Sequence, residues 1–78
     1  MSAMKDLLVI AFSETTMALY MERCGKEEGK SGRIIPLPKQ MAAGCGLAWA
    51  TPEREREPWE AWMKAHGIVW ETMAEVRF

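Results

Sequence analysis

Asp6-Leu7-Leu8-Val9-Ile10-Ala11-Phe12, followed at once by Ser13 and then by Met17, Tyr20, Met21 and Cys24, is the stretch whose reading decides the fold. Its first seven residues form a short apolar run, partly β-branched, which predicts a strand buried on both faces. Ser13 carries a hydroxyl able to accept from backbone amides two or three residues on, as a helix cap does. The four apolar positions after it recur at i, i+3, i+4 and i+7 until Gly25, which predicts an amphipathic helix that starts at Ser13 and stops at Gly25.

Outward from that unit, Lys26 to Gly32 is charged and glycine-bearing and reads as a loop. Arg33 to Pro38 is extended and contains two prolines, which cannot donate to a central ladder, so this strand belongs at a sheet edge. Lys39 to Gly46 forms a loop, and Leu47 to Ala50 a short apolar strand. Thr51 to Glu57 alternates Glu and Arg and reads as a solvated connector or a frayed helical turn. Pro58 suits a first helical position, and Trp59, Trp62, Met63 and His66 repeat the helical spacing up to Gly67. Ile68 to Phe78, with Val69, Trp70, Thr72, Val76 and Phe78, reads as a last strand.

The order is β, α, β, β, α, β, and right-handed crossovers applied twice to it lead to an α+β fold. The expected architecture is a ferredoxin-like βαββαβ sandwich, a four-stranded antiparallel sheet with two helices on one face. The first and third strands are then central and the second and fourth are edges, which leaves Pro36 and Pro38 where proline is tolerated.

Composition narrows the function. Seventy-eight residues make a single domain over 1–78, and a 49% hydrophobic fraction with four Trp and seven Met argues for a packed core rather than disorder. Ten basic against eleven acidic side chains, with no basic cluster, deny nucleic-acid binding its electrostatic footprint. Leu7 to Phe12 is far short of a bilayer span, and Asp6 and Glu14 bracket it too closely for a signal peptide, so no membrane partner is expected and the chain reads as cytoplasmic. Two cysteines and one histidine are too few for a disulfide framework or a four-ligand zinc site, and neither a metal nor another cofactor is expected. With no Gly-x-Ser-x-Gly, no Walker loop and no second histidine, no recognisable enzyme motif is present and enzyme readings are weak.

Gly44-Cys45-Gly46 is the local feature that composition does not explain. Glycines on either side leave the thiol open and free the loop amides to form an anion-binding nest that would favour a thiolate. The topology sets this loop, the Ser13 turn and the end of the second helix at one rim. Ser13, Thr15 and Thr16 then offer the amino end of the first helix to an anion, while Lys39 and His66 are the candidate cations. Lys39 reads more simply as a solvated loop lysine and His66 as a packed helix-end histidine. Cys24 closes the apolar stripe of its helix and reads as a structural thiol at the far end of the molecule, out of disulfide range of Cys45.

The stretch Pro36-Leu37-Pro38-Lys39-Gln40-Met41-Ala42-Ala43-Gly44-Cys45-Gly46-Leu47-Ala48, preceded by Phe12-Ser13-Glu14-Thr15-Thr16-Met17-Ala18-Leu19, resembles the selenium/sulfur carrier-like family of small bacterial and archaeal proteins, over nearly the whole chain. The resemblance implies a cytoplasmic domain whose single loop cysteine, Cys45, is loaded with sulfur or selenium. Ala42, Ala43 and Gly44 stand where serines are frequent in that family, which removes hydroxyl donors near the thiol. The leading expectation is a carrier that holds a chalcogen on Cys45 as a persulfide and moves it between donor and acceptor proteins. The alternative is a ferredoxin-like interaction or regulatory module without thiol chemistry, in which tryptophans make the partner surface. Trp70 on the last strand is its candidate anchor in a homodimer, although plain core or edge packing is the favoured reading of that residue.

Overall fold

A computed structural model describes residues 5–78. The elements follow as β1 (Asp6–Ala11), α1 (Thr15–Glu27), β2 (Arg33–Pro36), β3 (Leu47–Thr51), α2 (Arg56–Ala65) and β4 (Thr72–Arg77). The sheet order is β2-β3-β1-β4 with every neighbouring pair antiparallel, which is the ferredoxin-like α+β arrangement. Pro36 lies on the β2 edge, opposite Leu47.

Both faces of β1 are covered, which is why its sequence is apolar from Leu7 to Ala11 rather than alternating. Leu8, Ile10 and Phe12 join Trp49 and Met73 against Ala18, Met21 and Cys24 of α1 and Trp59 and Met63 of α2. On the face without helices, Val9 meets Ala48, Ala50 and Val76, with Leu37 and Met41 from the β2–β3 connection folded against them.

Several boundaries move from the sequence expectation, each for a local reason. Helix α1 runs through Gly25 to Glu27 instead of stopping there. Gly25 is a contact, because a Cβ on it would stand 2.7 Å from Cη2 of the buried Trp49 ring. The residue at the N-cap of α1 is Glu14, not Ser13, and no side chain caps the helix. Helix α2 starts at Arg56, so Pro58 is its third residue, where the missing amide would have had no intrahelical partner in any case. Gly67, with φ +72°, ends that helix as expected of a left-handed C-terminal glycine. Strand β2 ends at Pro36, and β4 begins only at Thr72, leaving Trp70 in the connection before it.

Candidate functional site

The chain leaves β1 at Ala11 and turns into α1 through Phe12, Ser13 and Glu14, and the loop between β2 and β3 lies directly on that turn. The Cys45 amide donates to the Phe12 carbonyl at 3.3 Å. Gly44 permits the approach, because a Cβ there would stand 2.7 Å from the carbonyl oxygen of Ser13. Gly46 serves a different need. Its φ of +74° is left-handed, a conformation that costs residues with a Cβ about 1–2 kcal/mol. Its carbonyl accepts from Leu37 at 2.9 Å and closes the hairpin.

Between these glycines the Cys45 side chain is half-buried, packed at the margin of the helix-side core. Its Sγ–H donates to the Leu47 carbonyl at 3.5 Å, and the Leu47 amide donates back to Sγ at 3.4 Å. The expected cradle of loop amides around the sulfur thus reduces to the amide of Leu47, since those of Gly44 and Cys45 are engaged elsewhere.

The partner of the Gly44 amide is Glu71. Its Oε1 accepts from Gly44 N–H at 3.2 Å and from the Ser13 hydroxyl at 2.8 Å, while its own amide donates to the Ala11 carbonyl at 2.7 Å. Three segments distant in sequence therefore meet beside Cys45: the β1–α1 turn, the β2–β3 loop and the residue that precedes β4. Sequence reasoning missed Glu71, which lies 27 residues beyond Gly44 in no motif. The nearest hint was Ser13, a hydroxyl assigned to a cap that Glu14 occupies instead.

The other expected site residues divide. Thr15 and Thr16 open α1, exposed and next to Ser13, so the amino end of the helix does lie beside the loop. Lys39 is exposed in a turn closed by the Met41 amide on the Pro38 carbonyl, at 3.0 Å. His66 caps the carboxyl end of α2, but its ring is turned to α1. Nε2 sits 2.7 Å from Glu28 Oε2, and the ring packs on Trp62 with centroids 4.5 Å apart. Glu28 also accepts from Trp62 Nε1 at 2.9 Å, and the His66 carbonyl accepts from the Tyr20 hydroxyl at 3.1 Å. The imidazole therefore serves the junction between the helices. The ionisable side chain tied to the Cys45 loop is that of Glu71, through the Gly44 amide.

Both cysteines are free thiols, and Cys24 is only 5% exposed within the core stripe of α1. Among the described residues, no group of three or more His, Cys, Asp or Glu is placed to hold a metal ion. What the arrangement offers is one sulfur nucleophile on a fastened loop, with no second thiol beside it to turn an attack into an intramolecular disulfide.

The family whose sequence model matches this chain, over residues 7–75, is described as "Putative Se/S carrier protein-like". The match takes in both the turn at Ser13 and the loop at Cys45, together with Glu71. No curated protein and no solved structure matches the chain.

Proposed function

Since the chain belongs to the Se/S carrier protein-like family, we propose that Cys45 accepts a sulfane sulfur or selenium atom from a donor protein and yields it to an acceptor protein. The observation that carries this reading is the placement of a lone thiol on a glycine-flanked loop fastened to two other segments, while the other cysteine is sealed in the core.

In the loading step the Cys45 thiolate attacks the outer sulfur of a donor persulfide. The donor's S–S bond breaks, its thiolate leaves, and a new S–S bond forms on Cys45. Delivery repeats the exchange with Cys45 as the leaving thiolate, so no oxidant or reductant is consumed. Selenium in the outer position follows the same course. A dithiol mechanism would need a second cysteine within reach, and Cys24 packs with Ala18 and Met21 instead. We place this exchange in the cytoplasm, where thiols stay reduced. Among the described residues no helix is long and apolar enough to cross a membrane.

The test is loading. The reduced protein is incubated with a cysteine desulfurase and cysteine, and its intact mass is measured. One added sulfur is expected in the natural chain and in Cys24→Ala, and none in Cys45→Ala. An adduct that follows Cys24, or no adduct at all, would overturn the proposal.

A docking module is the second reading, and one feature favours it: a groove of about 630 Å³ on the helix-free face, lined by Leu7, Ile35, Ala50 and Phe78 with Lys5 and Arg33. The tryptophans do not form its surface. Trp49 and Trp59 are buried, and Trp62 and Trp70 pack against the core. Under this reading Ile35→Glu abolishes partner binding or self-association while Cys45→Ser leaves it intact.

A further inference from the structure

The ties that hold the Cys45 loop are few and unequal. The sulfur's own hydrogen bonds with Leu47 are long, at 3.4 and 3.5 Å, and the Cys45 amide reaches Phe12 at 3.3 Å. Glycines on both sides add backbone freedom. Against this, one oxygen of Glu71 accepts from two donors that belong to two other segments, Ser13 and Gly44. Its backbone is tied by the 2.7 Å bond to Ala11 at the end of β1, so the residue is anchored on the sheet and not on the loop it holds.

From this we infer that Glu71 is the positioning residue of Cys45. Its carboxylate latches the loop onto the β1–α1 turn, in the closed position that keeps the sulfur half-buried, and release of the latch presents the thiol to a partner. Gly44 lies close enough to be latched because it has no side chain to meet the Ser13 carbonyl. The carboxylate is exposed, so an incoming protein can offer its own acceptor to the Gly44 amide and exchange for Glu71 without leaving that donor unpaired. The biological use of the latch rests on the carrier reading, but its existence does not.

Alkylation of the folded, full-length chain reads the latch directly, because a half-buried thiol reacts through local opening. Iodoacetamide is applied at neutral pH and both cysteine-containing peptides are quantified over time. Loss of a doubly accepting charged group in Glu71→Ala raises the Cys45 rate on the order of tenfold. Glu71→Gln keeps an acceptor oxygen for Ser13 and Gly44 and stays within about twofold of the natural chain, and Ser13→Ala, which removes one of the two bonds, falls between. Cys24, buried in the same molecule, stays unreactive in all of them and reports that the core is intact. An unchanged rate in Glu71→Ala overturns the inference. So does an equal rise in Glu71→Gln, which would make charge rather than the latch responsible, or a rise at Cys24 in step with Cys45, which would mean a loosened fold. Failure of Cys45 to take up sulfur in the desulfurase experiment would remove the carrier role and leave this result standing.

Discussion

The two glycines around Cys45 look alike in the sequence and answer to different constraints, so their replacements should behave differently. Gly46→Ala meets no neighbour but must hold φ near +74°, and it is expected to lower unfolding stability by about 1–2 kcal/mol in urea denaturation while the loop stays in place. Gly44 carries no such torsion. Its alanine variant would drive a Cβ to 2.7 Å from a backbone oxygen, so the loop has to lift from the Ser13 turn. Faster Cys45 alkylation is therefore expected in Gly44→Ala and not in Gly46→Ala, and equal rates would contradict the assignment. Sequence reasoning saw both glycines alike, as space around a thiol and freedom for the loop amides. Close approach and handedness come from the partner segment and the backbone angle, which neighbouring letters do not encode.

Among the elements, α1 shows how a correct helix can carry an incorrect end. Glycine after an apolar stripe is a common stop, yet here the helix continues to Glu27, and Gly25 serves packing instead, since the Trp49 ring occupies the space where its side chain would be. Gly25→Ala should gain about 1 kcal/mol of helix propensity and lose about 1–3 kcal/mol to overpacking against that indole. A lower melting temperature is expected, and a higher one would show that Trp49 has room to move. The pairing of β1 with β4 makes a second claim, about acid. Arg77 donates to Asp6 at 2.9 Å, and this hydrogen bond, with Arg54 nearby, holds the Asp6 carboxyl below its ordinary value. A depressed carboxylate stabilises the fold above its unfolded-state pKa, and the contribution is lost as pH falls through the folded-state value. The effect is small because the pair is solvent-exposed. Urea midpoints should therefore separate the natural chain from Arg77→Ala at pH 7 and draw together as pH falls below the ordinary aspartate range. A gap that persists in acid would assign Arg77 a packing role instead.

At the scale of the whole molecule, the topology was legible because it needs only the order of elements, the hand of two crossovers and two prolines that demand an edge. The same reasoning set the Cys45 loop beside Ser13, and the bond between Cys45 and Phe12 agrees with it. It could not foresee where long side chains reach from one element to another. His66 stands at the end of α2 as expected, but Glu28 and Trp62 draw its ring toward the end of α1, and Glu71 arrives from the opposite edge of the sheet to fasten the loop. The site that results is a single half-buried thiol on a loop tied to Glu71, and the proposed transfer of a chalcogen rests on that thiol. The most direct measurement is the sulfane sulfur released after loading, trapped with cyanide as thiocyanate and counted per chain. The account predicts about one thiocyanate per chain from the natural protein and from Cys24→Ala, and none from Cys45→Ala. Equal release from the Cys45→Ala chain, or none from the natural one, would contradict it.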